Sequence, residues 1–482
     1  MMRMKNKPFS LGLIISALFA SSASAETLQE ALVKTYQTNP TLAAARAGQR
    51  ANDENVPIAR SNGLPDLNLN GVYNENLKQA SNLFTSPTRS VSGQLNLTVP
   101  LYTGGAVRNG VRSADARIKA GQDNLRGVES DVFTSAVAAY VDVLRDEAIV
   151  GLNRNQVKVL QTNLEATKDR FEVGDLTRTD VAQSEARLAL AQSQLEGGEA
   201  QLIASRERYV QVVGIEPVAL AQPPALPNLP SSSDAALAAA LSDNPSLAAV
   251  KKSAEASRFD IASAKASRLP KIQAVSNGSY TNFLNTQVSS NPAIAVNQSQ
   301  STITAGIQAT IPLFQGGGPS AQVRQAQARS NQSLEQVIEV ERAIVAQTRS
   351  SYASWRAANA VIVSSEKAVS ANALSLEGVK AENSVGNRSI LDILNAEQEL
   401  LNSRVQLVGA QRNAYVAGFA LLSAMGMAEA RDLGLDGGTL YDPQTNYDRV
   451  RRKIWDWDDD AKPSATSTRT VDTPAQNPAI KP

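Results

Sequence analysis

Apolar and polar positions along this chain keep one period for a stretch, switch to another, and then repeat the whole succession. Residues 27–62 mix apolar and polar side chains in an Ala-rich stretch with no Gly or Pro cluster until Pro57, which suits a helix. After Pro65 the period drops to two. Leu67, Leu69, Gly71 and Tyr73 alternate with Asn68, Asn70 and Asn74, and Val91, Gly93, Leu95, Leu97 and Val99 alternate with Ser92, Gln94, Asn96 and Thr98. That is strand patterning with one apolar face, and it predicts a hairpin over 66–100. Gly104-Gly105 releases the chain into residues 106–171, which hold no Pro and predict one helix of about 100 Å at 1.5 Å per residue. A turn at Gly174 leads into a further helix over 177–213.

The same succession then returns. Asn39-Pro40 recurs 205 residues later as Asn244-Pro245, and Leu64-Pro65 as Leu269-Pro270. Between Pro65 and Pro100 the offset becomes 212, an insertion of 7 residues in the second copy. Val99-Pro100-Leu101-Tyr102-Thr103-Gly104-Gly105 returns as Ile311-Pro312-Leu313-Phe314-Gln315-Gly316-Gly317, Gly174 as Gly386, and Gly214 as Gly426. The chain therefore divides into a first repeat over 26–232, with a linker over 215–232, and a second over 233–447. The second holds an opening helix, a hairpin over 271–312, a long helix over 320–383, a helix over 389–425 and a final segment over 427–447. Val181, Leu188, Leu195, Leu202 and Tyr209 fall every seven residues, as do Ile393, Leu400, Leu407, Ala414 and Leu421. A seven-residue apolar period predicts coiled-coil packing.

Composition restricts the chemistry. The 482 residues include no Cys and no His, which removes thiolate and imidazole catalysis and nearly all zinc and transition-metal sites. No enzyme activity, cofactor or metal is expected. Formal charge is +1, and loss of Arg3, Lys5 and Lys7 with an N-terminal leader would bring it to −2, so no nucleic-acid footprint is expected. Residues 1–25 read as that leader: a basic start, an apolar run from Leu11 to Ala20, and Ala23-Ser24-Ala25 at the cleavage positions. Ten apolar residues are too few to span a bilayer as a helix.

An exported chain with no other apolar run can enter a membrane only as β-strands. Two hairpins supply four strands, and the smallest membrane barrels use eight. An open four-stranded sheet would leave two edges facing lipid, so the barrel must be shared: a dimer gives eight strands and a trimer twelve. Tyr73, Phe84, Tyr102, Tyr280, Phe283 and Phe314 sit near strand ends, where an aromatic girdle is expected. Trp455-Asp456-Trp457-Asp458-Asp459-Asp460 either forms a binding motif or packs Trp455 on the helices, and the Pro/Ser/Thr-rich sequence after about 461 reads as disordered.

The leader, the repeat of helix, hairpin, long helix and shorter helix, the Pro-Leu-aromatic-x-Gly-Gly turns and the glycine turns at 174 and 386 together resemble the TolC family of outer-membrane efflux proteins over about residues 26–450. The resemblance implies an α+β membrane protein: a homotrimer with a 12-stranded β-barrel continuous with a periplasmic coiled-coil α-helical barrel. Pro65, Pro100, Pro270 and Pro312 would be the barrel linkers, and 215–232 with 427–447 an equatorial layer. It further implies a periplasmic gate at the tunnel tip, where Gly174 and Gly386 turn the chain. Arg388 matches the family's linking arginine, Thr179 and Asp180 match its partners, and Asp392 matches the acid lining the constriction. Asn383 replaces a usual tyrosine, and Asn395 stands where a second acid can sit. Asp180 and Asp392 would also suit the first turn of a helix, where the dipole favours acids. The implied function is a passive outer-membrane exit duct of a tripartite efflux or type I secretion system, served by a periplasmic adaptor and an inner-membrane transporter. The alternative is a periplasmic coiled-coil scaffold without an open channel.

Overall fold

A computed structural model of the chain describes residues 25–78, 85, 87–289, 291, 293–435 and 440–480. Residues 1–24 of the expected leader, and Phe84, lie outside the described residues. The first repeat comprises helices α1 (Leu28–Thr38), α2 (Pro40–Asp53) and α3 (Asn55–Ser61), strands β1 (Asp66–Glu75) and β2 (Arg89–Tyr102), then α4 (Ala106–Glu172) and α5 (Arg178–Val213). The second comprises α6 (Ser233–Asp243), α7 (Pro245–Lys265), a 3-10 turn at Ala266–Arg268, β3 (Lys271–Asn282), β4 (Ser299–Thr310), α8 (Gly318–Ser384) and α9 (Ile390–Met425). A short α10 (Pro443–Val450) follows. Among the described residues no helix is long and apolar enough to cross a membrane.

The opening helix of each repeat, expected to be continuous, is broken. Asn39 sits at φ −67° and ψ 124° between α1 and α2, because the residue before a proline is driven out of the helical region. Its side-chain oxygen accepts from the Thr41 amide at 2.9 Å, capping α2 with Pro40 as the first helical residue. Its amide nitrogen donates to the Val212 carbonyl at 2.8 Å, tying the bend to the end of α5. Asn244 does the same in the second repeat, accepting from Ser246 and donating to the Ala424 carbonyl at 3.0 Å.

The four strands form one antiparallel sheet in the order β1-β2-β3-β4. Register puts Leu69, Leu95, Gly278 and Ile303 in one row, and Leu67, Leu97, Ser276 and Ala305 in another. The opposite face carries Asn68, Asn96, Asn277 and Thr304, with Asn96 donating to Asn68 at 3.1 Å and Gln273 to Gln308 at 2.9 Å. One face is thus apolar and the other a lattice of uncharged polar groups. Acids and bases occur only at the ends: Asp66, Glu75, Arg89 and Lys271. Every residue of the edge strands β1 and β4 is exposed. Pro65 and Pro270 each stand one residue before a strand, Pro100 lies inside β2 where the register shifts, and Pro312 lies two residues beyond β4.

α4 packs against α5 over its lower part and against α7 over its upper part, while α8 packs against α9 and α7. None of the ten residues of the two seven-residue series is exposed, and Leu202, Tyr209, Leu400 and Leu421 are buried. The largest core lies midway along the long helices. There Leu28, Phe133, Tyr140, Leu202, Tyr209 and Phe419 are buried, with Ile215, Leu220, Leu226, Met427 and Leu433 packed on them. Fully burying side chains of this size contributes roughly 1.5–3 kcal/mol each. The segments over 215–232 and 427–435 therefore pack as a collar around the middle of the helices. The sequence after 461, read as disordered, forms no helix or strand among the described residues and is mostly exposed, but its end meets α4 and α5. Arg206 donates to the carbonyls of Asn477 and Ala479, and Arg154 to that of Pro478 at 3.1 Å.

Candidate functional site at the helical tip

Both long helices end far from the sheet in the same turn. Gly174 has φ +84° and Gly386 has φ +82°, a left-handed conformation that glycine adopts without a β-carbon clash. In each turn a backbone amide reaches back to the last helical turn: Asp175 to the Arg170 carbonyl at 2.9 Å and Asn387 to that of Glu382 at 3.0 Å. The following helices start with capping boxes. The Asp180 carboxylate accepts from the Thr177 amide at 2.9 Å and hydroxyl at 2.7 Å, and that of Asp392 from the Ser389 amide at 3.0 Å and hydroxyl at 2.8 Å. The hydroxyl and then the amide hold both carboxyls below their ordinary range, with Arg388 adding a smaller pull on Asp392.

Each turn is also bridged by an ion pair, and its polarity is inverted between the repeats. Arg170 donates to Asp175 at 2.8 Å, whereas Arg388 donates to Glu382 at 2.7 Å. Position 170 corresponds to 382 under the 212-residue offset, so arginine and acid have exchanged sides of the turn. Glu382, followed by Asp392, raises the Arg388 pKa. Within one chain Arg388 is therefore joined to its own turn and not to Thr179 or Asp180, and Thr179 is exposed. Asn383 donates to the Arg388 carbonyl at 2.7 Å, fastening the loop.

The two repeats meet through other residues. Asn395 accepts from Arg187 at 2.7 Å, linking α9 to α5. Glu397, buried at 3 % side-chain exposure, accepts from Asn163 of α4 at 3.0 Å and faces Lys380 of α8 at 3.1 Å. Sequence reasoning missed Glu397, Lys380, Asn163 and Arg187. The offset held the signal, since Lys168 and Glu185 are the first-repeat counterparts of Lys380 and Glu397 and form the same pair at 3.1 Å.

A two-faced sheet at one end, a coiled-coil shaft, a mid-shaft collar and capped tips at the other end define an α+β channel-type membrane protein. The chain belongs to the outer membrane efflux protein family, whose profile matches residues 31–214 and 236–427, one match per repeat. It is 33% identical over 438 residues to the outer membrane efflux protein BepC of Brucella suis biovar 1 (strain 1330), covering 91% of this chain and 93% of BepC. It is 26% identical over 457 residues to the outer membrane protein TolC of Escherichia coli (strain K12), covering 92% of this chain and 91% of TolC. The solved CmeC outer membrane channel of Campylobacter jejuni has the same fold, with a TM-score of 0.72 at 15% identity over 93% of this chain and 98% of that one. The protein is thus an outer-membrane efflux protein with a periplasmic extension.

Proposed function

We propose that three copies of this chain form a passive exit duct through the outer membrane, gated at its periplasmic tip, within a tripartite efflux or type I secretion system. The observation that carries this is the sheet: four strands, apolar on one face and uncharged-polar on the other, with both edge strands fully exposed. Strands of ten to fourteen residues are long enough to cross the hydrocarbon core when tilted. Closing their edges with two further copies gives a twelve-stranded barrel with the apolar face to lipid and the amide-lined face to the lumen. The helices support the same reading. α4 buries 22 residues within the chain and α8, its counterpart, only six, leaving α8 a face for a neighbour.

In the assembled tip Arg388 is the tie to Thr179 and Asp180, with Glu382 competing for the same guanidinium. Three Asp392 carboxylates around the axis attract cations. The sequence holds no energy-coupling motif, so transport is driven by an inner-membrane transporter reached through a periplasmic adaptor. Mass measurement in detergent tests the assembly, with three chains expected, and planar-bilayer recording tests the duct. A stable monomer, or a trimer that passes no current, refutes the reading.

A further inference from the structure

The repeat fixes more than the number of copies. Within the first hairpin Leu67 pairs with Leu97, and their counterparts at offsets 205 and 212, Ile272 and Ala309, pair within the second. The offsets therefore transmit register. The junction from β2 to β3 is present in one chain, and its counterpart, from β4 to the β1 of another copy, is open. In the visible junction Val99 pairs with Ala274 and Tyr102 with Ile272. The open seam then pairs Ile311 with Leu69 of the next copy, and Phe314 with its Leu67.

At the foot of the visible junction the Leu101-Tyr102-Thr103-Gly104 turn sits against the end of the second repeat's opening helices. A β-carbon on Gly104 would lie 2.8 Å from the Leu269 β-carbon and 2.9 Å from the Ala266 carbonyl oxygen. Gly316, its counterpart, has a similar φ of +58° yet nothing within 4 Å of that position. Leu313 and Phe314 are 93% and 89% exposed, against 57% and 47% for Leu101 and Tyr102. The counterparts of Ala266 and Leu269 are Ser61 and Leu64, and both line an open cleft of about 850 Å³ at the foot of β1. Trp455 lines it as well. Asp458 and Asp460 are paired with Lys453 and Arg449, which holds this segment in place with the Trp455 indole uncovered.

We infer that this cleft is the socket for the Leu313–Gly317 turn of a neighbouring copy, and that the 453–460 segment, which has no counterpart in the repeat, locks the seam through Trp455. The inference rests on the shared-barrel reading and adds its register. The chain has no cysteine, so introduced pairs are its only thiols. In Leu69→Cys/Ile311→Cys, oxidation should yield covalent dimers and trimers on a denaturing gel. Leu69→Cys/Ile307→Cys, four residues or about 13 Å out of register, should yield none. Trp455→Ala should lower the temperature at which the trimer dissociates in SDS by several degrees. Trp457→Ala, outside the cleft, should leave it unchanged. Failure of the in-register pair to cross-link in a protein of trimeric mass overturns the register while leaving the duct intact, whereas a monomeric mass overturns the shared barrel itself. Equal shifts in the two tryptophan variants overturn the lock.

Discussion

Replacing Glu397 with alanine should loosen the tip far more than replacing Glu185, although the two acids hold equivalent positions and face equivalent lysines at 3.1 Å. The difference is burial: the Glu185 side chain is 53% exposed and that of Glu397 only 3%. An exposed ion pair contributes about 0.2–1 kcal/mol, so Glu185→Ala should raise the local opening equilibrium at most about fivefold. Glu397 also accepts from Asn163 at 3.0 Å, and a hydrogen bond to a charged group contributes about 1.5–3 kcal/mol net. Its loss, with the weaker Lys380 pair, amounts to about 2–4 kcal/mol, or roughly 30- to 900-fold in opening of α9 away from α4 and α8. Hydrogen exchange of the amides over 390–400 in the detergent-solubilised protein reads this directly. Glu397→Gln, which keeps an acceptor for Asn163 but loses the charge, should fall between. Similar exchange rates in Glu185→Ala and Glu397→Ala would refute the argument that burial sets the strength of the pair.

Arg388→Ala should raise single-channel conductance, while Asp392→Ala should leave conductance near its starting value and weaken cation selectivity; no change in either variant would place the gate elsewhere. Because the pKa values of Asp180 and Asp392 are depressed, their capping contribution is complete above the ordinary carboxylate value of 3.8 and is lost as pH falls through their lower folded values. Protection of the tip amides, taken as exchange relative to the intrinsic rate at each pH, should therefore stay flat through mild acid and fall only below about pH 4, and an onset near neutrality would contradict it. Thr177→Ala should destabilise the start of α5 by about 1 kcal/mol at any pH above that range, seen as faster exchange over 178–182.

Patterning made the sheet legible because period-two alternation survives any tertiary context that keeps one face apolar, and the two offsets even preserved its register. The break at Asn39 was equally present in the sequence. An Asn-Pro pair joins a side-chain cap to a proline that suits the first helical position and drives the residue before it out of the helix, so it signals a boundary wherever Ala-rich composition suggests continuity. Other features needed the fold. The Arg388 to Glu382 pair forms because a left-handed glycine folds the chain back on itself, bringing together residues six apart. The tail over 461–480 has a composition that cannot bury a core, yet its carbonyls meet arginines on α4 and α5 whose need for acceptors no local pattern reveals.

The contrast between sheet and tip shows why the repeat is imperfect where it is. Along the strands the two halves are interchangeable: same faces, same register, no charge between the ends. In the proposed barrel such a wall offers permeant ions no fixed charge between its two ends. At the tip the halves diverge, with arginine before the turn in one and after it in the other. In the proposed trimer, neighbouring turns around the axis therefore present opposite polarities, and each can offer its partner a charge that the partner lacks. Two identical halves would place like charges side by side and repel. In that trimer the inversion makes a closed ring of alternating pairs available at the tip.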